Sequence, residues 1–317
     1  MRAAVVRDFG RPPRYEEYRV PSPEGTSEEL VTVVAAGLHP RVKSGAAGRH
    51  YSSSGTLPMI PGIDGVARRS DGTLAYFLTS DDAWGSMAEQ AVLDRQRSID
   101  LPAGADPVAV AAMMNPAMSS WVALRQRGPA TLGSVLVLGA TGSAGSLAVQ
   151  VAAHLGARTI VGVGRDPERL RHLTTVGVTS VVSLTSDDLA SELSAVAGDV
   201  DVVLDYLWGE PALTVMATVV AARTNSARAV DWIEVGAIAG ATMPLPAAAL
   251  RSTNLRILGS GQGSVAPRTY RDELPSLLAE IAAGTFTLDA RPRPLAEVED
   301  AWQSEDPPGT RTVLIPR

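Results

Sequence analysis

The 317-residue chain contains no cysteine. That absence excludes disulfides, thiolate-ligated zinc and a cysteine nucleophile. Lysine and arginine form no run, and 28 basic against 34 acidic residues leave a net charge of −6, so a nucleic-acid partner has little electrostatic support. Also missing is an uninterrupted apolar stretch of about 18 residues, the length a membrane-spanning helix needs. The longest candidate, Val108 to Leu124, is interrupted by Asn115, Pro116, Ser119 and Ser120. The opening MRAAVVRDFG has no long apolar segment of the kind a secretory signal carries. What remains is 45% hydrophobic and 20% charged, ordinary globular composition and enough chain for two domains. A soluble, cytoplasmic protein is the expectation.

The first hundred or so residues read as short strands separated by Pro- and Gly-rich connections. Ala3 to Val6, Leu30 to Ala36 and Thr73 to Leu78 are β-like; RPPR, PSPEG and LPMIPGIDG are turns. Residues 45–55, GAAGRHYSSSG, are the most loop-like. From about residue 119 strand-like runs alternate with helical segments. Strands are expected at Val135–Leu138, Thr159–Val163, Ser180–Ser183, Val200–Tyr206, Trp232–Ala237 and Leu255–Leu258, with helices beginning near Gly142, Pro167, Ser186, Glu210 and Pro244. Such alternation implies a mostly parallel, doubly wound sheet. A helix over about Thr269 to Ala283 and a last strand at Arg311 to Ile315 follow.

The sharpest local signal is VLVLGATGSAG, Val135 to Gly145. A strand, a glycine turn and an Ala-rich helix form the arrangement that brings backbone close to a pyrophosphate, with the helix N-terminus facing the anion. The glycine spacing is altered to Ala140-x-Gly142-x-x-Gly145, with Gly139 just before it. The next strand, in TIVGVGRDPERL, ends at Gly164 without the carboxylate that would bind a ribose 2′-hydroxyl. Arg165 follows, and Arg169 lies one turn into the helix; either guanidinium can pair with a 2′-phosphate. Asp166 before Pro167 reads as a helix cap. The predicted cofactor is therefore NADPH rather than NADH.

Taken in order, MRAAVVRDFG, AAGLHPRVKSG, LPMIPGIDGVA, GSMAEQAVL, VLVLGATGSAGSLAVQVAAHLGA, VDVVLDYLWG, EVGAIAG and LAEVEDAWQSEDPPGTRTVLIP resemble the medium-chain dehydrogenase/reductase superfamily nearly end to end. The similarity is greatest to its zinc-free, quinone oxidoreductase-like branch. The resemblance implies an α/β protein: a GroES-like, β-rich catalytic domain from residues 1–118 and 259–317, and a Rossmann NADP-binding domain with a doubly wound parallel sheet at 119–258. It implies an active site in the cleft between them, and a homodimer. Zinc-using relatives carry a Cys in the first loop and a His-Glu pair where this chain has Gly62-Ile63-Asp64-Gly65. With four histidines and no cysteine, ligands for a tetrahedral zinc site are too few, and no metal is expected. His154 and His172 fall on expected helices of the second domain, where packing or surface roles are ordinary.

Against the same pattern, His39 stands where the branch often has Asn. It either donates to cofactor or substrate carbonyl and moves a proton, or only hydrogen-bonds backbone. Tyr51 matches a Tyr that follows S-G in relatives; it either hydrogen-bonds a carbonyl oxygen or packs on the surface. Arg41 and Lys43 either favour an anionic substrate or are solvated charges, Asp64 is expected to hold a turn, and Trp84 and Trp208 either wall a pocket or pack. For the cofactor, Ser119 occupies the place of a contacting Thr. Gly236, Ala237 and Ile238 would put backbone beside the nicotinamide, and Gly259 and Gly261 of GSGQG would touch the same end. Ser183-Leu184-Thr185 departs from the Tyr-containing run of many NADPH users. Without zinc to polarise an oxygen, hydride transfer needs an electrophilic acceptor such as a quinone or enone. The expected function is an NADPH-dependent reductase of a conjugated carbonyl, a small-molecule substrate. Alternatives are a biosynthetic C=C or C=N reductase of the same fold, or a non-catalytic NADPH-binding protein.

Overall fold

The computed structural model describes residues 1–81, 83–307 and 309–316. In chain order the first part forms β1 (Arg2–Val5), β2 (Arg14–Glu17), β3 (Glu28–Gly37), α1 (Pro40–Ala46), β4 (Asp64–Arg68), β5 (Leu74–Leu78), β6 (Gln90–Asp94), β7 (Ser98–Asp100) and α2 (Pro107–Gln126). The middle alternates strictly: β8 (Ser134–Leu138), α3 (Ser143–His154), β9 (Thr159–Gly164), α4 (Pro167–Leu173), β10 (Ser180–Ser183), α5 (Leu189–Ala197), β11 (Val202–Asp205), α6 (Gly209–Ala222), β12 (Val230–Glu234), α7 (Ala247–Ser252) and β13 (Leu255–Gly259). The end supplies α8 (Pro267–Ala282), β14 (Asp289–Pro294), α9 (Val298–Gln303) and β15 (Thr310–Ile315).

Two compact units result. One comprises Met1–Pro116 and Arg271–Arg317, the other Ala117–Tyr270. The first is built on a sheet ordered β14-β15-β3-β4-β5-β7, with β6 also on β3. All its pairings are antiparallel except β14 with β15. β3 is the hub because its ten residues are long enough to hold β4, β6 and β15 at once. The register Val313↔Gly37 and Leu314↔Ala36 binds the last strand to the first part of the chain. Inward residues such as Val31, Val33, Ala67, Phe77 and Leu93 are fully or nearly fully buried, the alternation that a half-covered antiparallel strand requires.

The second unit is a six-stranded parallel sheet, β10-β9-β8-β11-β12-β13. Its central strands read SVLVL, TIVGVG and VVLD, near-continuous apolar runs suited to burial on both faces. Right-handed crossovers put α3 and α4 on one face and α5 to α7 on the other. The strand order reverses between β8 and β11, which opens a crevice at the carboxyl ends of those two strands. This is the doubly wound Rossmann sheet expected of the alternation.

Among the described residues one helix, α2, is long and apolar enough to cross a membrane, and 72% of its apolar window is buried within the protein. Asn115 and Pro116 interrupt its apolar run but not the helix. Burial of Ala112, Met114, Ala117 and Trp121 around the proline outweighs the hydrogen bond that the proline removes.

Candidate active site

The glycine turn is built from close backbone approaches. β8 ends at Leu138, and Gly139 turns with φ +91°, a conformation that favours glycine. The Gly139 and Ala140 amides both donate to the Val163 carbonyl at 2.9 Å, which locks the turn onto β9. Gly142 is the N-cap of α3 and has no side chain to satisfy the helix's first N–H groups. A Cβ on Gly145 would overlap the Gly139 carbonyl, whereas one on Gly142 would meet only that same oxygen at 3.5 Å. Gly145 therefore lets the helix press on the turn, and Gly142 leaves room for a ligand. Ala140 is fully buried, so its part is in shaping the turn.

At the end of β9, a Cβ on Gly164 would run into Thr141 of the glycine turn. Asp166 is committed to capping α4, accepting from the amides of Glu168 at 3.0 Å and Arg169 at 3.1 Å. Arg169 donates to the Thr141 carbonyl at 3.2 Å and lies 3.4 Å from Asp166 Oδ2. Arg165 is exposed, with no hydrogen bond or ion pair among the described residues. Ser183 stands in register with Gly164, and its hydroxyl lies 2.9 Å from that of Thr185. The departure Ser183-Leu184-Thr185 thus puts two hydroxyls at the strand end where the arginines emerge. They are not among the sequence candidates; the signal for them is a hydroxyl pair closing the third strand.

Asp205, at the end of β11, is also absent from the sequence candidates. It is fully buried and accepts three hydrogen bonds: Leu207 N at 2.8 Å and Trp208 N at 2.9 Å to Oδ1, and Trp232 Nε1 at 2.9 Å to Oδ2. Burial raises its pKa, and the three donors oppose that rise. The two backbone bonds hold Trp208 at φ +51°, the one non-glycine residue with positive φ among the described residues. Side chains rarely adopt this conformation, and it persists where the surroundings enforce it. Glu234, at the end of β12, also has a raised pKa, first from burial and then from the charge of Asp205.

The loop after β12 lies along this edge. The Ile238 amide donates to Tyr206 O at 3.4 Å and that of Ala239 to Leu207 O at 2.8 Å. Gly236 and Ala237 lead into it, and Ile238 is 76% exposed. From α2, Ser119 Oγ meets the Tyr206 hydroxyl at 2.9 Å. Burial pushes that phenol up to about 12, opposed by the hydrogen bonds of Ser119 and Ser120. After β13, Gly259 leads into a turn in which the Gly261 amide donates to Ser264 Oγ at 2.9 Å. The expected cofactor residues that follow strands (139–145, 164–169, 236–238 and 259–261) thus all fall at the carboxyl edge of one parallel sheet.

In the other unit His39 and Tyr51 are placed very differently. His39 caps α1 and is 1% exposed, with Nε2 3.4 Å from Asp64 Oδ1. Neither ring nitrogen has a hydrogen-bond partner among the described residues. Asp64 Oδ2 accepts from the Tyr76 hydroxyl at 2.9 Å, and burial, then the Asp64 charge, drives that phenol's pKa well up. The imidazole fits because residue 37 is glycine; a Cβ there would overlap the ring. Asp64, expected to hold a turn, instead starts β4 and faces this buried pair. Tyr51 is 72% exposed, with its ring 4.3 Å from that of His50.

Arg41 and Lys43 lie on a helix, α1, started by Pro40. Lys43 donates to the carbonyls of Trp302 at 2.7 Å and Ser304 at 3.3 Å, which ties α1 to the end of α9. Arg41 Nη2 donates to Ser52 Oγ at 2.7 Å. Trp84 packs with Tyr18, their rings 5.8 Å apart, and Trp208 packs against the core beneath β11.

A glycine turn and helix N-terminus at the switch point of a parallel sheet, in a chain whose two ends close a separate antiparallel unit, define a two-domain nucleotide-dependent dehydrogenase. The pattern of the zinc-binding dehydrogenase family matches residues 144–282. Over its whole length the chain is 32% identical to the probable NADPH-dependent quinone reductase tdiC of Emericella nidulans, covering 100% of each protein. It is 27% identical to the probable acrylyl-CoA reductase AcuI of Escherichia coli K12, over 76% of each. Among solved structures, the quinone oxidoreductase of Thermus thermophilus superposes with a TM-score of 0.80 at 23% identity, covering 99% of this chain and 100% of that one. That of Pseudomonas syringae pv. Tomato gives 0.83 at 20% identity, covering 100% of each chain. The chain belongs to the medium-chain dehydrogenase/reductase superfamily, in its quinone oxidoreductase-like branch.

Proposed function

We propose that the protein is a zinc-independent, NADPH-dependent reductase that transfers hydride to a conjugated carbonyl, either a quinone or an enone or enoyl C=C. The observation that carries this reading is the full-length similarity to a probable NADPH-dependent quinone reductase, together with a β9 that ends in Gly164 and is followed by Arg165. A carboxylate there would repel a 2′-phosphate; an exposed guanidinium attracts one.

The residues fit the cofactor. Gly142 and the N-terminus of α3 form a cradle for the pyrophosphate. Arg165 and Arg169, with the Ser183 and Thr185 hydroxyls, would hold the 2′-phosphate. Residues 236–238 and 259–261 offer backbone at the same edge. When bound, the cofactor supplies a hydride from its dihydronicotinamide ring. This chain's own residues orient it: Asp205 fixes the turn through Trp208, and Tyr206 with Ser119 braces the end of β11. With no cysteine for a metal and no Lewis acid called for, the acceptor must bring its own electrophilicity, as conjugated carbonyls do. The buried His39–Asp64–Tyr76 group holds ionisable hydrogens beneath α1. His39, buried beside Asp64, and the exposed Tyr51 are the donors this reading assigns to the acceptor oxygen. The similarity to acrylyl-CoA reductases supports an enoyl acceptor as the second member of the same class. The reading carries with it a homodimer in the cytoplasm acting on small molecules.

Reduction of an enone with NADPH carrying deuterium at both C4 positions tests the proposal. Deuterium at the β-carbon of the product is expected. A product without label, or no product from any quinone, enone or enoyl thioester, refutes it.

A further inference from the structure

The turn that joins β11 to α6 touches both halves of the cofactor edge. On one side it meets the glycine turn. A Cβ on Gly139 would come within 3.1 Å of Leu207 Cδ2 and 3.2 Å of Tyr206 Cβ, so these two side chains fill the space that one at residue 139 would need. On the other side it carries the loop after β12. The carbonyls of Tyr206 and Leu207 accept from the Ile238 and Ala239 amides, at 3.4 and 2.8 Å. Gly209 and Gly240 press backbone on backbone there: a Cβ on Gly209 would lie 3.1 Å from Ala239 O and from the Cα and N of Gly240.

This turn is fixed at both of its ends. Asp205 Oδ1 receives the amides of Leu207 and Trp208. Trp208 and Gly209 then take positive φ in succession, +51° and +66°. Glycine does so freely; tryptophan does so at a cost. The partly buried Trp208 side chain packs on the apolar cluster beneath β11, which includes Ala212, Met216 and Trp232. Met243 and Leu245, which follow the 236–240 loop, pack on the same cluster. Burial of the indole offsets the cost of its backbone, and the turn cannot relax without withdrawing the indole. A costly backbone conformation at the rim of a site is a pointer to function.

A dinucleotide joins two ends covalently. Both ends bind at once only where their subsites lie at the matching separation. We infer that the 205–209 turn is the spacer that sets this separation, and that Leu207 and Trp208 are positioning residues for the nicotinamide end of NADPH. Leu207 bears on the turn that faces the pyrophosphate; Trp208 holds the carbonyls from which the nicotinamide-side loop hangs. The inference rests on the NADPH reading above, and its contacts all lie within the second unit.

Calorimetric titration with NADPH and with 2′,5′-ADP tests it, because the second ligand lacks the nicotinamide end. The wild type should bind NADPH about tenfold or more tightly than 2′,5′-ADP. Trp208→Gly frees the turn and should bring the two within about threefold, by weakening NADPH while 2′,5′-ADP stays within about twofold of its wild-type Kd. Trp208→Phe keeps an aromatic anchor and should keep most of the gap. Leu207→Ala loosens the other side of the turn with Trp208 in place and is judged by the same criteria as Trp208→Gly, so the inference stays open to refutation if the glycine variant fails to fold. A gap that survives Trp208→Gly, equal weakening of both ligands, or a phenylalanine variant as weak as the glycine one overturns the positioning role. Equal affinity of the wild type for the two ligands also overturns it, and leaves the recognition of the 2′-phosphate intact. A wild type that binds neither ligand sinks the NADPH reading and the inference with it.

Discussion

Replacing Asp205 by asparagine keeps the shape of the side chain and removes one of its acceptors. The amide oxygen can still receive Leu207 N and Trp208 N, but its NH2 now faces the Trp232 indole N–H, a donor opposite a donor. Trp232 is fully buried, so its orphaned N–H costs about 1–3 kcal/mol. The two surviving bonds lose their charge assistance, about 0.5 kcal/mol each. Relief of the buried charge returns about 1 kcal/mol, so the net destabilisation is about 2 kcal/mol, read from urea unfolding near neutral pH. The pH dependence has a definite sign. Burial raises the pKa of Asp205, so the folded state binds its proton more tightly than the unfolded chain does. That contribution is complete below the ordinary carboxylate value and is lost as pH rises through the raised one. The Asp205→Asn penalty therefore shrinks across that window as pH increases. Combining Asp205→Asn with Trp232→Phe removes the orphaned donor, and the pair should couple by about 1 kcal/mol or more. A penalty under about 0.5 kcal/mol, or strict additivity, would show that the Asp205–Trp232 contact does not bear on the fold as argued.

Arg165→Ala should weaken NADPH by about tenfold and leave NADH unchanged, by fluorescence titration, since only the 2′-phosphate distinguishes the two; equal loss for both cofactors refutes its role. Gly145→Val forces a side chain onto the Gly139 carbonyl and should destabilise by about 1–3 kcal/mol with loss of cofactor affinity; an unchanged Tm contradicts the close approach. His39→Ala leaves Asp64 buried without its neighbour, so it should lower Tm more than it alters KM. Tyr51→Phe, at an exposed ring, should leave Tm unchanged and lower kcat/KM only if the phenol reaches the acceptor; a large stability loss there would contradict the exposure.

The βα alternation and the glycine turn were legible because each depends on local pattern. An apolar run of four to six residues, a glycine that must turn and a following amphipathic segment recur within about 30 residues. That period also places every strand-end loop on one edge, which is why the loops from Ala140 to Gly261 fall together. The antiparallel unit was less legible. β4, DGVAR, and β6, QAVLD, are short and mixed in polarity, and both owe their conformation to β3 far away in the chain. α1 was hidden by its Pro, Gly and Ser content; seven residues are too few for helical periodicity to show. The His39–Asp64 pair joins residues 25 apart through tertiary packing. Asp205 looked like a strand-end acid, and only the placement of Trp232 on the next strand reveals its three donors.

The central claim is hydride transfer from NADPH to a conjugated acceptor. The most direct measurement is the loss of dihydronicotinamide absorbance with a series of quinones, enones, enoyl thioesters and simple ketones, run with NADPH and NADH in parallel on enzyme treated with a chelator. Turnover of the conjugated acceptors is expected with NADPH, with little for NADH, none for simple ketones, and no effect of the chelator. Equal rates with NADH, activity confined to simple ketones, or activity abolished by chelation would contradict the claim.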